Sequence, residues 1–281
     1  MTSSVTAIVV SHNQGQYLRQ ALESILHQTK HIDRTIIINN GSIDDTEQIM
    51  REYISLYFPY VQGHSYEHNR GQLAAFSRGL ELSDSTYTCF VDADDELDHR
   101  YIAKLIHPLE INKIAALSYS DTLLFGNREY SSWLTYPAEM RKKQGSSYTV
   151  HSPDYSEHIK YLLKRTNYIN NGALFNTKLA KDVGGFVEHD LYDLRHYLWY
   201  RLFDAGHTGV HVPHVLYRYR QHSILQASAQ WRVRKIVSDN PIDQQILYYQ
   251  EEIENLKSSP FYKTERVLQR LADNFKCDCE K

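Results

Sequence analysis

Five acidic residues fall within seven positions in the stretch CFVDADDELD, residues 89–98: Asp92, Asp94, Asp95, Glu96 and Asp98. Carboxylates a few ångströms apart repel one another unless a cation or hydrogen bonds offset the charge. A hard divalent ion shared between carboxylate and phosphate oxygens is the usual solution. The alternative is a plain acidic turn ahead of a helix, where carboxylates interact favourably with the N-terminal end. A calcium loop of the EF-hand type is excluded. Counted from Asp92 it needs Gly at its sixth position and Glu at its twelfth, where this chain has Leu97 and Ala103.

The elements that would carry this acidic turn are legible from periodicity. Short apolar, β-branched runs at 6–11, 34–39, 61–68 and 87–92 read as strands. Between and after them, Leu18, Ala21, Leu22 and Ile25, then Leu73, Phe76 and Leu80, then Ile102, Leu105, Ile106 and Leu109 recur at helical spacing. TEQIMREYISLYF completes the set of helices, with Ser42 and Asp45 spaced as a capping box ahead of it. Strands alternating with helices of this length imply right-handed crossovers and a mainly parallel sheet. Ligands collect at the carboxyl ends of such strands. That singles out Ser11-His12-Asn13, Asn39-Asn40-Gly41-Ser42 and Asp92-Ala93-Asp94-Asp95.

Further on, residues 121–165 are polar, Tyr-rich and punctuated by Gly, Ser and Pro, and read as long loops. YINNGALFN reads as a strand, TKLAKDVGGF as a short helix closed by glycines, and LRHYLWYRLFDAGH as a helix ending at Gly206. TGVHVPHVLYRYRQH is a strand or hairpin, and the chain from 224 onward is helical in pattern. The expected architecture is α/β, a mainly parallel sheet flanked by helices, with a helical C-terminal extension.

Bulk properties narrow the function classes. The chain has 281 residues, 42% hydrophobic and 23% charged, with a net charge of −3. A nucleic-acid binder would carry a basic face, so that class is set aside. No apolar run approaches the ~20 residues needed to span a bilayer, and the first residues lack the pattern of a signal peptide. The expected location is therefore cytoplasmic. Amphipathic C-terminal helices would permit peripheral membrane contact or packing against a second subunit in a homo-oligomer. Three cysteines, Cys89, Cys277 and Cys279, make no disulfide framework. Cys89 reads as a small buried hydrophobe.

In order and spacing, AIVVSHNQGQYLRQALESILHQT, IIINNGSIDDT, HNRGQLAAFSRGLE and CFVDADDELD resemble the nucleotide-binding half of family 2 glycosyltransferases, which have the Rossmann-like GT-A fold. NNGALFNTKLAKDVGGF, LWYRLFDAGH and VLYRYRQHS resemble the acceptor half of the same family. The resemblance implies a GT-A domain over 1–222, with a nucleotide-sugar half at 1–120, an acceptor half at 121–222 and the extension at 223–281. It makes the acidic stretch the Asp-x-Asp signature. Asp92 then approaches the nucleotide ribose, Ala93 lies between the two acids, Asp94 ligates Mn2+ or Mg2+, and Asp95 is structural. Ser11 and His12 line the donor site, with the imidazole against the base, and Asn40 meets the base edge. Arg70, Gly71 and Gln72 line the pocket, and His222 adds a metal or diphosphate contact.

The implied reaction is metal-assisted transfer, with inversion, of a sugar from a nucleotide-diphosphate donor, UDP in preference to GDP or dTDP. The acceptor is a glycan, a lipid-linked saccharide or a protein. The pattern breaks at the base. The family places a Glu-Asp pair at the start of the helix containing LWYRL, and this chain has Leu194 and Arg195 there. Arg cannot accept a proton at neutral pH. The nearest carboxylates are Asp193, Asp190 and Glu188. Asp193 is the expected base, with a helix N-cap as its alternative role. Asn39 stands where the family commonly has Asp. Trp199 and the tyrosines around 120–168 are candidates for sugar stacking, with core packing as the alternative for Trp199. A nucleotide-sugar-binding partner of another transferase, itself weak or inactive, is the alternative function.

Overall fold

A computed structural model describes residues 3–126, 140–156, 163, 167–189 and 193–222. The expected C-terminal helices, Cys277 and Cys279 lie outside the described residues. Four strands, β1 (Val5–Ser11), β2 (Arg34–Asn40), β3 (Val61–Tyr66) and β4 (Tyr87–Asp92), alternate with helices α1 (Gly15–Leu26), α2 (Thr46–Tyr57) and α3 (Gly71–Leu82). Then come the two-residue β5 (Glu96–Leu97), α4 (Tyr101–Ile111) and β6 (Ala115–Gly126). A hairpin of β7 (Arg141–Gln144) and β8 (Ser147–Val150) follows, then β9 (Leu174–Asn176), α5 (Thr177–Asp182), α6 (Leu194–Asp204) and β10 (Thr208–Gln221).

These strands form one sheet in the order β3-β2-β1-β4-β9-β6-β10-β5, with β8 also on β6. Pairings among β3, β2, β1 and β4 are parallel, as is β6 with β10. The three-residue β9 is antiparallel to both its neighbours and joins the two parallel groups.

Side chains of one strand alternate between two cores. Val5, Ala7 and Val9 of β1 pack with Leu18, Leu22 and Ile25 of α1, with α2 and with α4. Ile8 and Phe90 face the opposite way, against Phe76 and Leu80 of α3 and Leu198 and Trp199 of α6. This is the period of two expected for strands buried on both faces. Cys89 lies wholly inside, and burial pushes its thiol up to about 12. Trp199 is in the core, its ring 5.4 Å from that of Phe175, so it has no face to offer a sugar. Tyr148 and Tyr168 are buried as well.

Three local expectations are corrected. The Ser42–Asp45 capping box does not form: Ser42 Oγ accepts from the Asn13 N–H, and the Asp45 side chain makes no capping bond. Asp44 instead accepts from the backbone N–H groups of Gly15 and Thr46, tying the starts of α1 and α2 together. The stretch expected as loops contains the second half of β6 and the β7–β8 hairpin, whose polar composition suits an exposed edge. Only residues 174–176 of YINNGALFN are strand.

Candidate functional site

The carboxyl ends of β1, β2 and β4 meet in one region, as parallel topology requires. Gly41, at φ +67°, lets the turn after β2 pass against the next loop, since a Cβ there would come within 2.3 Å of the Asn69 backbone nitrogen. Asn40 binds that loop. Its side-chain carbonyl accepts from the Arg70 N–H at 3.0 Å, and its amide donates to Asn69 Oδ1 and to the Gly71 carbonyl. Arg70, Gly71 and Gln72 are thereby held, exposed, at the start of α3. His12 is exposed, and its Nδ1–H donates to the Asn40 carbonyl at 3.0 Å, which fixes the ring at the rim. Ser11 is wholly buried, 3.4 Å from the Thr46 hydroxyl, and organises the strand end from within. Asn39 holds Glu47 through its amide and the Ser42 N–H through its carbonyl.

The three aspartates after β4 have three different settings. Asp95 is fully buried, accepting from the Tyr217 hydroxyl at 2.5 Å and the Arg220 N–H at 2.9 Å. Burial, then the charges of Asp94 and Asp92, hold its carboxyl well above the usual carboxylate range. Its place is structural, as expected. Asp94 faces His222, whose Nε2 lies 2.7 Å from Oδ2, and the Tyr17 ring is 5.0 Å from the His222 ring. Asp92 accepts two parallel bonds from Arg195, at 2.9 and 3.0 Å, and a third from the Asn171 amide at 3.0 Å. Ala93 is buried between the two acids. Arg220 braces the turn: Nε donates to the Asp94 carbonyl at 2.7 Å, and Nη2 to Glu96 and Gln20, each at 2.6 Å.

Arg195 stands 5.0 Å over the Phe76 ring at the start of α6. Burial acts to lower its pKa, but Asp92 outweighs that and keeps the guanidinium firmly charged. Asp193 caps the same helix, its Oδ1 accepting from the His196 N–H at 2.9 Å. Glu188 is exposed, and Asp190 lies outside the described residues. Asn171 and Arg195 were not foreseen as partners of Asp92. One signal was present. A cation in the first turn of a helix opposes the helix dipole, which implies an anion elsewhere to hold it. Asn171 reaches the site because Gly172 follows it: a Cβ there would meet the Tyr217 ring at 2.5 Å.

Among the described residues, no set of three His, Cys, Asp or Glu side chains converges as a cage for a metal ion. The donors at the turn nonetheless suit Mg2+ or Mn2+. Such ions are commonly held by one or two protein groups, with substrate phosphates and water completing the shell. Asp94 supplies the hard carboxylate of that pattern, with the His222 imidazole beside it at 2.7 Å.

A second cluster lies farther along β6. The buried Asp121 accepts from His211 Nε2 and from His151 Nδ1, each at 2.8 Å, and His211 Nδ1 lies 2.9 Å from Asp154. Bonded to carboxylates at both nitrogens, His211 satisfies both only as the imidazolium. Burial acts to lower its pKa, but Asp121 and Asp154 raise it overall. Burial works to raise Asp121, but His211 brings it below its ordinary value. The raised histidine stabilises the fold fully below about pH 6.5 and loses that contribution as pH rises through its folded value. The depressed aspartate contributes above about pH 4 and loses it on acidification. His211→Gln should therefore lower Tm most between about pH 4 and 6.5 and progressively less at alkaline pH. A Tm difference that stays flat from pH 5 to 9, within about a degree, would refute the assignment.

The parallel sheet, its switch to β9 and the acidic turn at the end of β4 define a GT-A architecture. Residues 6–174, more than half of the chain, match the family model described as Glycosyl transferase family 2, and the chain belongs to that family. Among relatives, it is 36% identical over 96 residues to the Escherichia coli (strain K12) uncharacterized glycosyltransferase YibD, covering 34% of this chain and 27% of that one. It is 35% identical over 95 residues to a Staphylococcus epidermidis teichoic acid poly(glycerol phosphate) polymerase, covering 34% of this chain and 13% of that one. Each match thus takes in less than a third of the relative's own length. Among solved structures, S. aureus TarS 1–349 in complex with UDP superposes with a TM-score of 0.58 at 15% identity, over 86% of this chain and 68% of that one. The mannosyltransferase PcManGT from Pyrobaculum calidifontis, in complex with GDP-Man and Mn2+, gives 0.56 at 14% identity, over 84% and 61%. At these identities the likeness establishes the fold.

Proposed function

We propose that the chain is a glycosyltransferase that moves a sugar, with inversion, from a nucleotide-diphosphate donor, preferably UDP-linked, to an acceptor hydroxyl on a glycan, lipid-linked saccharide or protein. The observation that carries this reading is that the acidic turn, where Asp94 faces His222, and the bonded His12–Asn40–Arg70 loops follow the carboxyl ends of adjacent parallel strands. Complexes of fold neighbours with UDP and with GDP-Man and Mn2+ support a donor of this class. Among the described residues no helix is long and apolar enough to cross a membrane. The proposal takes the enzyme as cytoplasmic, alone or as a homo-oligomer.

A divalent ion held by Asp94 and His222 would offset the charge gathering on the departing diphosphate. The remaining work falls to the chain itself. His12 offers a ring to the base at the rim, Arg70–Gln72 line the donor side, and Asp92 is held ready toward the ribose. Asp193 takes the acceptor proton, a contribution of typically ~10²–10⁴-fold.

Because Asp193 also caps α6, the informative substitution is Asp193→Asn. Asparagine caps a helix as well as aspartate but does not act as a base. Incubated with UDP-sugars, Mn2+ and cell-derived acceptors, the wild type should release UDP. Asp193→Asn should keep Tm and UDP binding while losing about 10²-fold or more in turnover. Full activity in that variant removes Asp193 from the mechanism. A second reading, donor binding without transfer in support of another transferase, draws on Arg195 at the position where the family carries its base. Binding of UDP-sugar with no UDP release under any acceptor favours it.

A further inference from the structure

Sites that gather carboxylates around a diphosphate face an electrostatic problem before any metal arrives, since anion meets anion. Here the first acid of the motif is already compensated from within the chain. Arg195 makes a bidentate pair with both oxygens of Asp92, and Asn171 adds a third donor. The guanidinium is boxed in: Phe76 lies under it at 5.0 Å, and its side chain is 12% exposed, against 23% for Asp92. Planar two-point pairing of this kind fixes geometry as well as charge. The second acid, Asp94, receives the Nε2 of His222. The third is turned inward to Tyr217 and the Arg220 backbone. The outward-facing part of the turn is thus far less anionic than three aspartates within four strand-end positions would suggest.

We infer that Arg195 is a built-in counter-cation of the donor site, a positioning residue that offsets Asp92 and lets a nucleoside diphosphate bind with only modest dependence on a divalent ion. The inference rests on the donor-site reading above. Arg195 and the metal then act on the same anion, so removing one should raise reliance on the other. Such coupling is a ratio of affinities measurable without turnover.

The test is calorimetric titration of UDP, with GDP alongside, into the full chain in Mn2+ and in EDTA, for wild type, Arg195→Gln and Arg195→Lys. The wild type should keep measurable UDP affinity in EDTA, within about tenfold of that in Mn2+. Arg195→Gln should widen that gap by about tenfold more, through weaker binding in EDTA. Arg195→Lys keeps the charge without the fork and should stay within about threefold of the wild-type gap. A purely structural arginine predicts that Gln and Lys behave alike and lower affinity equally in both buffers, which overturns the inference. Loss of all wild-type UDP binding in EDTA overturns it too, and needs no variant to fold. Failure of the folded wild type to bind UDP or GDP in either buffer instead defeats the donor-site reading itself.

Discussion

Asp94→Ala is expected to abolish the gain in UDP affinity that Mn2+ confers, while leaving the metal-free affinity in place. Asp94 and His222 are the pair that the turn presents at 2.7 Å, and small hard cations bind through one or two protein groups plus phosphate oxygens. Without the carboxylate, an imidazole alone is a poor anchor for Mg2+ or Mn2+. Turnover should fall about 10²–10³-fold, the scale of losing one electrostatic stabiliser of a leaving group. Calorimetry in Mn2+ and in EDTA reads the binding part directly. An Asp94→Ala protein that still responds to Mn2+ as the wild type does would take the cation site away from this turn.

Arg220→Met should be the most destabilising single change in the region. The side chain fills the space between β10 and the acidic turn and is only 12% exposed, with its guanidinium 4.4 Å over Phe125 and 4.8 Å over Tyr17. Its nitrogens hold the Asp94 carbonyl, Glu96 and Gln20. Glu96 keeps Arg218 at 3.1 Å, so the loss is that of the bonds to the Asp94 carbonyl, Glu96 and Gln20, together about 3 kcal/mol. For a chain of this size that lowers Tm by roughly 6–10 °C. Because the Asp94 carbonyl loses its anchor, donor affinity should fall with stability. Arg220→Lys should recover part of both. A Tm within about 2 °C of wild type for Arg220→Met would mean that the turn is held by other contacts.

The sequence carried the frame of β1 to β4 and their helices well. Alternation between Val5, Ala7, Val9 and Ile8, and the helical spacing of Leu18, Leu22 and Ile25, are local signals, and they sort the residues onto the two faces on which they are found. The acidic turn was legible for the same reason, as a run of like charges at a strand end. What stayed hidden was decided across long separations. Asp92 meets Asn171 and Arg195, 79 and 103 residues away, and Asp95 meets Tyr217, 122 residues away. No periodicity encodes such pairings. The failed capping box has the same origin. Ser42 had a good local use, but the Asn13 backbone of the neighbouring loop claimed it, and Asp44 took over the tie between helices. His222 was placed by resemblance, and it does face Asp94.

The antiparallel β9 has a consequence for how the molecule becomes competent. Only three residues long, it is the seam between the two parallel groups of strands, and the chain just ahead of it delivers Asn171 to Asp92. Closing that seam requires segments far apart in the chain to find each other, which is slow and entropically costly. The turn after β4 therefore cannot complete its contacts from the first half of the chain alone. The hold on Asp92 is complete only once the later half, which carries Asn171 and Arg195, has docked.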